Sequence, residues 1–563
     1  MEEENKQENM QLIENSDLSN PNINSSSRPS ENERIEPLEQ KKQSGCKFPT
    51  AYTILLIIEI IFFILTYIIP KGQFDTIEYS DEKFTIKSFG KPDVIVNASQ
   101  EFLDEKNIKI PLENFEKGLI KDPLAIPNTY KRINEENLNV FSLFAYPVKG
   151  LINSSGIAFF LFVLGGSINI LIEMNALNAG IEALSRATKG NDFILLIFVL
   201  IISSFGGTTF GFMEEVLPFY PIIIPIFIKS GYDALLGMGG LFFGSMIGCM
   251  FSTVNAFSVI IASYSCGIKF VDGIYFRLIC LVLGDILGTI YLYFYYLRIK
   301  KDKTKSIIYD LRKELEEKYL KKEKETKNNE NEIIDEENQL LKEKSDEKKS
   351  EFTCRQKLGL IFLLVGFIVM ILGILLFDWY FENMTAVFVV ATIIFIFLYR
   401  KGESKGIEVF MKGAGEFVGV SIIIGLARGI NITLNEGNIS DTILNALTNL
   451  IDGLPKIVFA LLMLIVFIFL GFFIQSSSGL AVLSMPVFAP LADNANCNRS
   501  IVINTYMFGQ YLIGFIAPTG IILIVLELVG IPYNYWLKFI WPFLIICFLF
   551  LIILVILNAA LFN

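Results

Sequence analysis

No histidine occurs in the 563 residues of this chain. That absence removes imidazole metal sites, imidazole proton relays and Ser/His/Asp catalysis together. The seven cysteines (Cys46, Cys249, Cys266, Cys280, Cys354, Cys497 and Cys547) include no CxxC pair. Most fall inside apolar runs, where a thiol is an ordinary small packing group, so no structural disulfide is expected. A GxSxG turn and paired aspartates on an apolar helix are also missing, which with the missing histidine removes an intramembrane enzyme. There is no basic excess: 48 Lys+Arg against 58 Asp+Glu leave a formal charge of -10, which argues against nucleic acid as a partner.

What is abundant is hydrocarbon. Hydrophobic residues make up 52% of the chain, and segments 50–70, 157–174, 359–377, 384–399 and 535–557 are almost free of charge. Each is long enough, or nearly so, to cross ~30 Å of bilayer core. The expected class is an all-α polytopic membrane protein, with the lipid bilayer as its surroundings and the plasma membrane as its host. Residues 1–49 are polar, and the first apolar run starts too late and is too long for a cleaved signal peptide, so a disordered tail is expected. Lys41, Lys42 and Lys47 precede the first span, and Arg298, Lys300 and Lys301 follow a later one; the positive-inside rule places both segments, and the N-terminus, in the cytoplasm. Residues 50–299 then form a first transmembrane repeat, with an external, partly strand-like loop at 71–139 in which Asn97 opens an N-A-S sequon. Residues 300–357 turn to Lys, Glu and Asn and read as a charged cytoplasmic tether. A linking helix and a second repeat fill 358–563.

The two halves resemble each other. "GGSINIL" around Asn169 parallels "ARGINIT" around Asn431, "GIEAL" from Gly180 parallels "ILNAL" from Ile443, "TTFGFMEEVLP" from Thr208 parallels "SSSGLAVLSMP" from Ser476, and "GCMFSTVN" from Gly248 parallels "GFIAPTG" from Gly514. Counting crossings gives the repeats opposite orientation, the arrangement of inverted-repeat transporters, and the Ser/Thr tips are expected at the turns of re-entrant hairpins.

Irregular backbone at membrane depth is tolerated only where protein or a water-filled cavity covers it, so polar breaks inside apolar segments mark a cavity. Glycines in "GGTTFG" and "SSSG" allow the reversal, and hydroxyl and carbonyl oxygens there replace the water shell of a small cation or donate to a carboxylate. The expected substrate-binding residues are Thr208, Thr209, Glu214, Asn255, Ser476, Ser477, Ser478 and Thr519. The expected ion-binding residues are Gly207, Thr208, Ser252, Thr253, Ser477 and Thr519, with a sodium ion or a proton coupled to transport. No other metal or cofactor is expected.

"GGTTFGFMEEVLPFYPIIIP", "GYDALLGMGGLFFGSMIGCMFSTVNAFSVIIAS" and "FFIQSSSGLAVLSMPVFAPLAD" resemble the signature blocks of the C4-dicarboxylate anaerobic carrier family, especially its YfcC-like branch, within the ion transporter superfamily. The resemblance covers most of 50–560 apart from the external loop and the linker. It implies an elevator-type secondary transporter, a homodimer, with two re-entrant hairpins forming the substrate site and with sodium or proton coupling. Ala256 and Gln475 stand where the family pattern often has proline.

Glu214 and Glu215 are acids inside an apolar segment, and they align with Val482 and Leu483 of the second repeat, so fold symmetry does not require them. One role is structural: the first turn of the hairpin's second arm, or an ion pair with Arg428. The other is functional, with one carboxylate facing the cavity to meet a cationic group or a proton. Arg428 would then be free to bind a substrate carboxylate. Asp285 is expected to pair with Arg277. The sequence therefore leads to a secondary active transporter of a small carboxylate-bearing metabolite, a C4-dicarboxylate or an amino acid. A basic amino acid (arginine/ornithine) antiporter and, in a different class, a passive channel are the rivals.

Overall fold

In hydrocarbon every backbone N–H and C=O must be satisfied within the chain, so long charge-free runs become helices. The computed structural model describes residues 49–118, 120, 123–177, 179–180, 192–319, 353–377, 379–451 and 453–561. The tail at 1–48, the middle of the charged tether (320–352) and residues 181–184 of "GIEAL" lie outside the described residues. Among the described residues nine helical stretches are long and apolar enough to cross a membrane, from Ala51–Ile68 to Tyr533–Leu561.

The chain is mostly helical rather than all helical, because among the described residues six short strands lie between Gly72 and Arg132. Thr76–Ser80 buries Ile77 and Lys83–Lys87 buries Phe84, and the two strands pair antiparallel through a tight turn at Asp81 and Glu82, both at positive φ. Ile77, Phe84, Leu103 and Phe115 form the small core of this strand unit, and Val482 of helix Ser477–Asn494 closes it from below. Asn97 of the sequon is exposed at the end of its strand.

Two helical assemblies carry the site. In the first, helix Ser142–Asn153 packs on Val418–Glu436, and Ser155–Glu173 packs on Glu403–Gly415. Asn169 Nδ2 donates to the Val409 carbonyl at 2.7 Å across that contact. In the second, Asp192–Phe210 packs on Ala234–Met250, and Lys456–Phe473 packs on Arg499–Gly514. Close approach here needs glycine: a Cβ on Gly248 would stand 2.1 Å from the Ser204 carbonyl oxygen.

Four interruptions break these helices. Asp192–Phe210 stops before an irregular stretch at 211–216, and Ala234–Met250 stops before 251–255. Lys456–Phe473 stops before 474–476, and Arg499–Gly514 before 515–520. The chain resumes as Tyr220–Lys229, as a π-turn at Ala256–Ile260 running into Ile261–Ser265, as Ser477–Asn494 and as Ile521–Val529. A long helix then closes each half, Ile274–Lys301 and Tyr533–Leu561. The same order of elements thus occurs twice.

Two expected arrangements take other forms. Arg277 does not pair with Asp285; its guanidinium donates to the carbonyl of Asp272 at 3.0 Å and to that of Phe270, and so holds the loop ahead of its own helix. A backbone carbonyl one turn away is a nearer partner than a carboxylate two turns along. Glu214 and Glu215 do not sit in the first turn of the second arm either. They lie in the irregular 211–216 stretch before it.

Candidate functional site

The break at 211–216 is opened by Gly211, whose φ of +78° favours glycine and whose missing side chain leaves room for the Asn255 amide. The breaks at 211–216 and 251–255 are laced together. Asn255 Nδ2 donates to the Gly207 carbonyl at 3.3 Å, and its Oδ1 caps the next turn by accepting from Phe257 N at 2.8 Å. The hydroxyls of Thr208 and Thr253 are 3.1 Å apart, Thr253 N donates to Thr208 Oγ1 at 3.0 Å, and Ser252 Oγ donates to the Thr208 carbonyl at 3.3 Å. The second pair of breaks uses longer side chains. Gln510 Nε2 donates to the Gln475 carbonyl at 3.2 Å, Tyr506 OH to the Ser477 carbonyl at 2.7 Å, and Thr519 Oγ1 reaches toward the Phe472 carbonyl at 3.5 Å. Ser476 caps helix Ser477–Asn494 by accepting from Gly479 N at 3.2 Å.

Between these breaks and helix Val418–Glu436 lies a cavity of about 300 Å³. Of the expected substrate residues, Glu214, Asn255, Ser476, Ser477, Ser478 and Thr519 line it. Thr208 and Thr209 do not. Thr208 is buried under the break, and Thr209 turns back to donate to the Phe205 carbonyl at 2.7 Å. Of the expected ion residues, Gly207, Thr208, Ser252 and Thr253 meet around one knot of hydrogen bonds, whereas Ser477 and Thr519 belong to the cavity wall. Asn431, Gln475, Gln510 and Tyr511 line the cavity too and were missed. Their signal was present but faint: each is a polar group inside an apolar run, as in "YMFGQYLIG".

Arg428 and Glu214 face this cavity together. Arg428 is its only cation among the described residues, and the side chains of Arg428 and Glu214 have neither an ion-pair nor a hydrogen-bond partner there. The expected Glu–Arg428 ion pair is therefore not formed. Glu215 is buried and accepts from Met213 N at 3.3 Å, which folds it back into its own turn. Glu214 is left as the free carboxylate. An unneutralised charge at membrane depth costs several kcal/mol unless water or a ligand meets it.

Apolar spanning helices interrupted around a polar, charged cavity define a membrane carrier. The sequence profile of the C4-dicarboxylate anaerobic carrier family, DcuC, matches residues 48–560, and the chain belongs to that family. It is 41% identical over 525 residues to an uncharacterized protein of Haemophilus influenzae, covering 93% of this chain and 99% of the other. It is 28% identical over 414 residues to the putative basic amino acid antiporter YfcC of Escherichia coli, covering 70% of this chain and 77% of YfcC. Among solved structures, the YdaH transporter of Alcanivorax borkumensis aligns over 92% of this chain and 99% of its own, at 11% identity and a TM-score of 0.38.

Proposed function

We propose that this carrier is a secondary active transporter of a small amino acid, one that presents a carboxylate and a cationic group at once. The observation that carries this reading is the pair of unpartnered opposite charges, Arg428 and Glu214, lining one cavity. The planar guanidinium takes a carboxylate through two parallel hydrogen bonds, and the glutamate takes an ammonium or guanidinium. Ser476, Ser477, Ser478 and Asn431 supply the remaining donors and acceptors. The name of the E. coli relative, a putative basic amino acid antiporter, agrees with this charge pattern.

A dicarboxylate is the second reading, favoured by the family's description and by the hydroxyl-rich wall. Glu214 would then have to be protonated or paired with a cation to avoid repelling the substrate.

Alternating access is part of the proposal, with inverted repeats, two re-entrant hairpins and an elevator-type movement of the second assembly against the first, in a homodimer in the plasma membrane with its N-terminus in the cytoplasm. In support, both arms of the 192–229 segment end beside the Tyr293–Lys303 region, where the Phe193 ring lies 4.8 Å from that of Tyr293, tilted against it, and Gly231 lies against Lys303. Helix Ser477–Asn494 instead ends at Asp493 and Arg499, beside the strand unit. Coupling to sodium or a proton, or exchange, completes the reading. The hydroxyl oxygens of Ser252 and Thr253 keep unused lone pairs that fit a small cation, beside the Gly207 and Thr208 carbonyls, which already accept two hydrogen bonds each.

Uptake into liposomes of labelled arginine and labelled succinate, with and without a sodium gradient and with internal ornithine, tests this. Arginine uptake stimulated by internal ornithine is expected. Sodium-driven succinate uptake with no arginine uptake overturns the amino-acid reading in favour of the dicarboxylate. Flux that dissipates gradients without ever concentrating a solute makes the protein a channel.

A further inference from the structure

A second cavity, of about 380 Å³, adjoins the 474–476 break and runs out to Asp441, where the strand unit is attached through Phe74. It shares Arg428, Asn431 and Ser476 with the central cavity, so these three residues form the wall between the two spaces. The rest of its polar lining is Asn153, Asn435, Ser440 and Asp441. Ser440 is only 9% exposed, and its hydroxyl has no hydrogen-bond partner among the described residues. A buried hydroxyl is costly unless water or a ligand completes it. Asp441 is already engaged, since its Oδ2 accepts from Phe74 N at 2.9 Å. Among the described residues Arg428 is the only cation lining this cavity, as it is in the central one.

We infer that this outer cavity is a ligand site in its own right, a staging site for small carboxylates, and that Arg428 serves both cavities in turn. The inference rests on the transport reading above. A guanidinium on a long flexible stem swings between two spaces while keeping its fork on one carboxylate. Asn435 and the Ser440 hydroxyl hold the ligand at the outer position. Ser476, at the inner end of the wall, hands it to the serine tip. The outer site lacks a partner for a cationic group as free as Glu214, so it holds the same ligand more weakly than the central one.

Equilibrium binding to the full-length protein in detergent, with labelled arginine and labelled succinate as probes, decides the matter. For whichever probe binds, two saturable classes are expected, separated by roughly tenfold or more in affinity, the step that one lost favourable contact produces. Asn435→Asp, at an exposed position, sets a like charge beside the bound carboxylate and should weaken the weaker class about fivefold. Ser440→Ala should act on the same class, and Glu214→Gln should weaken the tighter class for arginine. A single class, lost in Glu214→Gln and indifferent to Asn435→Asp and Ser440→Ala, overturns the outer site and leaves the transport reading standing. Binding of neither probe overturns both.

Discussion

The Thr208 and Thr253 hydroxyls lie 3.1 Å apart and tie the last turn of one interrupted helix to the break in the next. Thr208 also accepts from Thr253 N at 3.0 Å, so its Oγ1 serves two groups, both buried. Thr208→Val would strand a backbone N–H in an apolar setting, at a cost of about 1–3 kcal/mol. Thr253→Val leaves that N–H bond in place and should cost less. Thermal unfolding of the two purified variants ranks them; an equal or reversed ranking would show that the knot does not hold this corner.

Glycine positions along helix Ala234–Met250 differ in what a methyl group would meet. At Gly248 it would strike the Ser204 backbone, whereas at Gly240 its nearest neighbour is the flexible tip of Leu196, at 2.8 Å. Gly248→Ala is expected to destabilise by about 1–3 kcal/mol or more, and Gly240→Ala by clearly less. Fluorescence-detected size-exclusion profiles after graded heating separate the two, and similar losses would count against tight backbone contact at Gly248.

Arg428→Gln and Glu214→Gln should fail in different ways. If the guanidinium holds the substrate carboxylate through charge-assisted bonds, each worth about 1.5–3 kcal/mol, Arg428→Gln raises KM at least tenfold for every carboxylate-bearing substrate. Glu214→Gln should do so only for substrates with a cationic group. Uptake kinetics for arginine, a neutral amino acid and succinate in both variants provide the check, and an identical profile for the two would remove the division of labour.

Asp441 gives the docking of the strand unit a pH dependence. Burial pushes its carboxyl up to about 6 from the ordinary 3.8, partly offset by the hydrogen bond from Phe74 N. Because the folded value is the higher one, the neutral acid is favoured in the folded state. Its stabilising contribution is full below about pH 4 and is lost as pH rises through about 6. Hydrogen exchange at the Phe74 amide should therefore quicken between pH 4 and 7, after correction for intrinsic chemistry, and Asp441→Asn should flatten that change. A corrected rate that is constant in the native chain would contradict the assignment.

Much of this architecture was legible because a bilayer punishes irregular backbone so heavily. "SSSG" and "STVN" inside apolar runs announced the breaks that now bound the cavity at Ser476 and Asn255. Direction of side chains was not legible. Thr208 and Thr209 are adjacent and chemically alike, yet one is knotted to Thr253 and the other bends back to Phe205. Gln510 is a lone amide inside the apolar run "YMFGQYLIG", and only the approach of that helix to the 474–476 break gives its amide a role. The Arg277–Asp285 pairing failed for a similar reason: spacing along a helix says which groups are near, but loop carbonyls brought back by the tertiary fold compete for the same donors.

The strand unit is stitched at one edge to Asn438 and Thr442, through Gly72 N, Tyr130 and the Pro70 carbonyl, and at the other to Tyr264 and Arg499, through Asn114 and the Lys109 carbonyl. Exposed residues from distant parts of the chain, Lys109 and Asp493 among them, consequently share one outer surface. An antibody fragment selected against that composite patch would bind only while both edges are in register. Its release would then time a rearrangement of the carrier from outside the lipid, with no label placed in the transport path.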